Sequence, residues 1–559
     1  MTRAGGQPAG GCGPGRPSGA PDCYPHAVPT RSFRDRLTHP LVWSLLLGVL
    51  AVGGYLGAEL YLLDGRLGFT LDDSCIHLQF ARNLAAGEGL AYNPGRLVTG
   101  STAPLWTALV SLGFLVPPAG VAWAKVAGVA LYLLVIPATY RLARVLGVMR
   151  GLAALGAALV AASSWMVWGA LSGMEIPLFT LLSIVGITRH VRERRAVADM
   201  PFSALFLALA ALARPEGFLL LGAAFVDRLA GLAPTLRGPD RSRALRVLGL
   251  WLALAAIVVV PTMIFYRVVG DGFLPTTYAA KSPGLVRWLP SAGYLGVVVG
   301  IFFPVQPLMT LLALGGALAL VADRLTGEDD RTGLLPVLWL LGLPLAYSLM
   351  SPLGPGVVVG NFGRYYFPLF PPLVVLGLLA VDRAAGPWLR AARDASRRPI
   401  LVVLAALVLL PTLLNLGRGL ELYTRNVLNV EDSDVAMARW LADRLPPEAV
   451  LAVNDIGALR FLLPNEVVDL AGIGNPEIRD HFAAAEREGR HWREGISSFL
   501  ETERPDYLVI FPSWFPGLAE RSDSFEPLHR IAIERNITMG GDELVLYSTP
   551  WTRYPLRTR

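Results

Sequence analysis

The sequence predicts an α-helical polytopic membrane protein of about eleven transmembrane helices that ends in a soluble α/β domain. Composition, the spacing of apolar runs and a change of pattern near residue 420 carry this reading. Of 559 residues, 53% are hydrophobic and only 16% charged, with a mean hydropathy of +0.49. Soluble domains carry roughly a quarter charged residues. The net charge of +6 resides mostly in Arg clusters between apolar stretches, as topology-setting charge does, and does not point to nucleic acid. Cys12, Cys23 and Cys75 have neither a disulfide framework nor metal-ligand spacing.

Residues 1–38, rich in Gly, Pro and Arg, read as a disordered cytoplasmic tail. No cleavable signal peptide is expected, because the first apolar run begins near Pro40 and continues too long. Runs able to cross a bilayer fall at 40–62, 121–140, 152–171, 176–189, 200–213, 216–232, 247–267, 303–322, 333–350, 365–382 and 399–417. Together they define a membrane domain over 39–418. Basic residues at 31–36, 141–150, 192–195, 237–246, 324–331 and 390–398 thread consistently as cytoplasmic for an odd number of spans. Loops 63–120, 172–175, 214–215, 268–302 and 351–364, and everything after 418, are then external. The apolar stretch 104–117 is too short to span and reads as an interfacial helix.

Beyond 419 the pattern changes. Residues 433–445 read as an amphipathic helix capped by Ser433. AVLAVND (449–455), EVVDLAG (466–472), DYLVIFP (506–512) and ELVLYST (543–549) read as strands bounded by turn residues. Strands alternating with helical stretches predict a small external α/β domain over 419–559.

Ionisable residues at or just outside membrane depth are costly and usually functional. Asp72 and Asp73 follow the first span. One reading makes one of them a proton acceptor while the other is held by hydrogen bonds. The other makes Asp73 the cap of a helix beginning at Ser74. Glu175 sits in a tight turn, where it serves either chemistry or a helix dipole. Arg214-Pro215-Glu216 reads as a local ion pair at a helix break. Lys281, after Tyr278, suits either a lipid phosphate or the interface. Arg364, before Tyr365 and Tyr366, suits a phosphate or an aromatic belt. His77, one turn beyond Asp73, reads as a polar surface histidine. Walker A, GxSxG and HExxH signatures are absent from the sequence, which removes support for phosphate-loop, serine-hydrolase and zincin chemistry.

The ordered series LDDSCIHLQFARNLAAGEGLAYNPG, SGMEIPLF, ALARPEG, FLPTTYAAK and GRYYFPLFP, with VNDIGALRFLLPNEVVDLAGIGNPEI in the tail, resembles the GT-C superfamily of integral-membrane glycosyltransferases. The likeness is greatest to its bacterial arabinofuranosyl- and mannosyl-transferase-like branch. The first motif is fairly specific, and the others gain weight from their order. The resemblance implies transfer of a sugar from a polyprenyl-phosphate donor to an envelope glycan, lipid or protein acceptor, on the external face of the cell membrane. It implies an inverting displacement with Asp72 or Asp73 as base and Glu175 as second acidic position. Lys281 and Arg364, with Tyr278 and Arg214, make up the donor-phosphate and substrate set. No cofactor is compelled, and a divalent cation among the acidic residues stays open. Ser101-Thr102-Ala103-Pro104 and Thr276 depart from the family pattern, which leaves sugar and acceptor undetermined. The alternatives are a lipid-linked-sugar flippase, which predicts inverted repeats and mid-span charges, and a membrane-anchored binding protein.

Overall fold

A computed structural model describes residues 40–116, 120–196, 200–270, 272–273, 275, 288–327, 332–350, 362–391, 398–520 and 524–557. The expected N-terminal tail, with Cys12 and Cys23, lies outside the described residues, as do Thr276, Tyr278 and Lys281.

The helices before the C-terminal sheet region are α1 (Pro40–Leu62), α2 (Asp72–Ala85), α3 (Pro104–Ser111), α4 (Gly120–Val145), α5 (Arg150–Ala161), α6 (Ser164–Leu171), α7 (Ile176–Ala196), α8 (Ser203–Ala213), α9 (Glu216–Leu236), α10 (Arg241–Val269), α11 (Ala292–Val305), α12 (Pro307–Thr326), α13 (Leu335–Met350), α14 (Phe370–Ala391) and α15 (Arg398–Val430). Among the described residues, seven helices are long and apolar enough to cross a membrane. The pair α5–α6, bent by 51° at the Ala162-Ser163 break, makes an eighth if counted as one span. The protein is a multi-pass membrane protein. The anticipated runs fall on helices, with 152–171 divided between α5 and α6 and 303–322 between the end of α11 and α12, but α8 and α13 are short and α7 ends in charge at Arg194 and Arg195.

One stretch departs from expectation. Part of the loop anticipated at 268–302 forms α11. The Ser291 side chain caps it by accepting from Tyr294 N at 3.3 Å, and Gln306 separates it from Pro307, the first residue of α12. The sequence window merged the end of α11 with α12 because both flanks of that break are apolar.

The bundle holds its buried charges in matched sets. Lys125 on α4 donates to Glu59 on α1 at 3.0 Å, to the Leu171 carbonyl at 2.9 Å and to the Tyr423 hydroxyl at 3.1 Å. The Tyr423 hydroxyl donates in turn to Glu59, whose other oxygen accepts from Gly68 N at 2.8 Å. A buried charge is tolerated when paired and hydrogen-bonded in this way.

Beyond α15 the helix does not stop. It passes through a π turn at Glu431–Val435 into α16 (Ala436–Ala442). Ser433, expected as a cap, instead donates its hydroxyl to the Asn429 carbonyl one turn back at 2.5 Å, which continues the helix rather than starting one. A five-stranded sheet follows, in the order β2-β1-β3-β5-β4. Its strands are β1 (Leu451–Val453), β2 (Val467–Asp469), β3 (Tyr507–Ile510), β4 (Glu526–Ala532) and β5 (Glu543–Ser548). β1 runs parallel to β2 and β3, whereas β5 is antiparallel to β3 and β4.

Side chains alternate across the sheet as the period of two requires. Leu451, Val453, Tyr507, Val509, Leu544 and Leu546 join the core that continues into the membrane helices. Ala452, Leu508, Ile510, Val545 and Tyr547 face a second, smaller core. The four anticipated strands are these buried ones. β4 was not anticipated. It is an edge strand, largely exposed and carrying Pro527 and Arg530, and such polarity guards an edge and disguises it in sequence.

Candidate functional site

The sheet region docks on the 72–103 segment through polar contacts that fix both. Asp72, at the start of α2, accepts from Gly457 N and Ala458 N, each at 2.6 Å. These are the first backbone N–H groups of α17 (Gly457–Leu462), so Asp72 caps a helix hundreds of residues away. A Cβ on Gly457 would lie 2.1 Å from the Asp72 carbonyl oxygen, so only glycine allows this approach. Tyr92 donates to the Ile456 carbonyl at 2.6 Å, and Arg460 donates to Asn93 at 2.9 Å. Asp469, at the end of β2, gathers the N–H groups of Ala471, Ile473 and Gly474. That turn rests on Gly100, where a Cβ would lie 2.3 Å from the Ile473 carbonyl oxygen.

A cavity opens beside this contact. Its walls include Asp73, His77, Ser101, Thr102, Glu175, Arg214, Arg364, Tyr365 and Ile473. Asp73 is 38% exposed at the side chain and accepts from buried Arg364 at 2.6 Å. Arg364 opens a 3-10 turn, Arg364–Leu369, after Gly363 in the left-handed region. Its guanidinium also lies 5.4 Å from the centre of the Tyr365 ring. Asp73 does not cap α2: the position before the helix is Leu71, with no side-chain cap. The two adjacent carboxylates therefore split. Asp72 is buried and doubly hydrogen-bonded, and Asp73 faces the cavity.

Glu175 follows the tight turn after α6 and bonds Arg214, with His77 Nε2 3.2 Å from its other oxygen. Arg214 also grips Glu216, through Nη2 at 2.7 Å and Nε at 3.2 Å, and Glu216 accepts from Tyr347 at 2.7 Å. The anticipated local pair at the Pro215 break is thus one half of a bridge between α9 and the Glu175 turn. His77 is not a surface histidine. It is buried because α2 packs this face into the cavity wall.

Burial pushes the Asp72 carboxyl up, and its two backbone bonds pull back, leaving it at about 6. Burial also raises Glu175, but Arg214 and His77 outweigh it and hold the carboxyl at about 2. This bridge therefore stabilises the fold fully above the usual 4.5 and fades as pH falls towards 2. The shift is worth about 3 kcal/mol. Wild type should out-melt Glu175→Gln near pH 6, and the gap in Tm should narrow as pH falls below 4.5 and close only as pH reaches about 2. An unchanged gap would place the stabilisation elsewhere.

The fold is similar to that of solved structures over most of the chain. ArnT from Cupriavidus metallidurans bound to undecaprenyl phosphate matches with a TM-score of 0.57 at 16% identity, over 91% of this chain and 97% of that one. The Archaeoglobus fulgidus oligosaccharyltransferase in its apo form matches with a TM-score of 0.53 at 13% identity, over 86% and 70%. The chain has the GT-C fold. Residues 423–549 match a domain of unknown function, DUF8728, and no curated protein matches the sequence significantly.

Within this GT-C fold, Asp72, Asp73, Glu175, Arg214 and Arg364 come together from four separate stretches of chain. Tyr278 and Lys281 belong to the segment outside the described residues. Tyr365, noted beside Arg364, and Ser101 and Thr102, noted as departures from the family pattern, line the same cavity, which local pattern does not indicate. Two further carboxylates, Asp434 and Asp455, lie close to Asp72 and were also missed. The first stands in the π turn after α15, and the second in the turn after β1.

Proposed function

We propose that the chain is a membrane glycosyltransferase that moves a sugar from a polyprenyl-phosphate donor to an envelope acceptor on the external face, with Asp73 as base. The observation that carries this reading is the division of labour in the acidic pair: Asp72 is committed to Gly457 and Ala458, while Asp73 faces the cavity beside Arg364. The GT-C fold and the undecaprenyl phosphate bound to ArnT support the donor class.

In the reaction, the acceptor hydroxyl oxygen attacks the anomeric carbon and its proton passes to the Asp73 carboxylate. The bond from that carbon to the phosphate oxygen breaks, polyprenyl phosphate leaves as an anion, and configuration inverts. Arg364 suits the departing charge. An arriving phosphate competes with Asp73 for the guanidinium and thereby releases the carboxylate to act as base. The phosphate role proposed for Lys281 and Tyr278 rests on the FLPTTYAAK motif alone. Arg214 is shared between two carboxylates, so its role is to hold Glu175 in the wall rather than to bind phosphate. Glu175, ionised at any physiological pH, is a weak base and supplies a fixed negative charge beside the developing positive charge on the sugar.

Purified protein supplied with a set of polyprenyl-phosphate sugars and an envelope extract should release polyprenyl phosphate, read by mass spectrometry. Folded protein that consumes no member of the set would remove this reading and return the flippase and binding-protein alternatives.

A further inference from the structure

Asp434 is fully buried, and neither of its carboxylate oxygens accepts a hydrogen bond from the protein. Leaving two such atoms empty in the interior is costly. Its carboxylate is turned towards Asp72 and Asp455: one oxygen from each of the three groups lies within 4.8 Å of the others. Asp455 is itself within hydrogen-bonding reach of Asp72. Among the described ion pairs, no Lys or Arg engages any of the three. Three carboxylates therefore meet with no cation to balance them.

We propose that Asp72, Asp434 and Asp455 hold a divalent cation that pins the sheet region to the segment carrying Asp73. The donor set is all carboxylate oxygen, which suits a hard ion of the calcium, magnesium or manganese class and disfavours zinc. The spread of the oxygens fits that class, since ligands about 2.3–2.6 Å from a calcium ion lie up to roughly 5 Å apart across it. Asp72 can bridge both tasks. Its oxygens each accept one N–H, and a carboxylate has about four lone-pair sites. Asp455 is only partly buried, which provides an entry path and room for water ligands. The three ligands come from α2, from the π turn at Glu431–Val435 and from the turn after β1. A bound ion would thus join three elements at one point, and Asp73 is the next residue along the chain.

The test uses the full-length protein in detergent and needs no donor or acceptor, so its failure is distinct from failure of the transferase reading. After EDTA treatment, Ca2+, Mg2+ or Mn2+ should raise Tm by a few degrees at saturation. Metal analysis after desalting should find about one ion per chain. Asp434→Asn should lose both the rise and the ion, and Asp455→Asn, at the mouth of the site, serves where the first variant folds poorly. Two results would overturn the site. One is a wild-type protein that carries no ion and whose Tm ignores all three cations, which would leave the cluster balanced by shared protons. The other is an ion that persists in both variants, which would place it elsewhere.

Discussion

Asp73→Asn should lose at least about a hundredfold in turnover, the usual cost of removing a general base. It should bind a polyprenyl-phosphate sugar at least as tightly as wild type, because removing the carboxylate leaves Arg364 to the phosphate. The substitution is nearly isosteric, and the Asn oxygen can still accept from the guanidinium, so Tm should stay within a few degrees. Asp72→Asn should behave differently. An amide offers a single acceptor oxygen to the two N–H groups of α17 and turns its NH2 on the other. Leaving a buried donor unpaired costs about 1–3 kcal/mol, so this variant should show its loss first in Tm and in docking of the sheet region. Turnover, donor affinity and Tm measured on both variants separate the roles. Turnover within fivefold of wild type in Asp73→Asn would remove Asp73 as base.

Arg214→Met should be the most destabilising single change in the site. It strands Glu175 and Glu216, both buried, without their shared cation. Breaking a buried pair from one side costs about 3–5 kcal/mol, and here two acids lose their partner. The signature is a large fall in Tm that donor does not specifically rescue. If Arg214 were instead a phosphate ligand, its removal would weaken donor binding and leave the empty protein stable. A companion variant, Arg214→Met with Glu175→Gln and Glu216→Gln, should recover much of the lost Tm because the stranded charges are gone. Failure to recover would show that Arg214 contributes through its packing against Tyr365 and Phe179 rather than through charge.

The comparison of Asp72 with Asp73 shows where sequence reasoning stops. Adjacent positions on one strand of text have the same local pattern, and both fit a base or a cap. What separates them is a partner at Gly457, far along the chain. Arg214 is a similar case. Its pairing with Glu216 is local and was legible, but its bond to Glu175 depends on how two helix ends meet. His77 looked like a surface residue because helical spacing alone does not say which face a neighbouring loop will cover. Asp434 and Asp455 lie in stretches the sequence did mark, the helix over 433–445 and the VNDIGALRF part of the tail motif, but nothing local says that the two meet at Asp72.

By itself the sequence determined that the chain crosses a membrane many times, where its apolar runs fall, that buried strands follow near the C-terminal end, and which charged residues an ordered motif series singles out. These follow from local quantities: hydropathy over a span, a period of two along a strand, and residue order. Only the tertiary structure decided that α11 is a helix of its own, that the last long helix runs on through Ser433, and that β4 closes the sheet edge. It also decided which carboxylate faces the cavity and which three converge on one point. Those outcomes depend on burial and on partners distant in sequence. The environment of a charged group, more than its identity, sets whether it caps, pairs, accepts a proton or holds an ion.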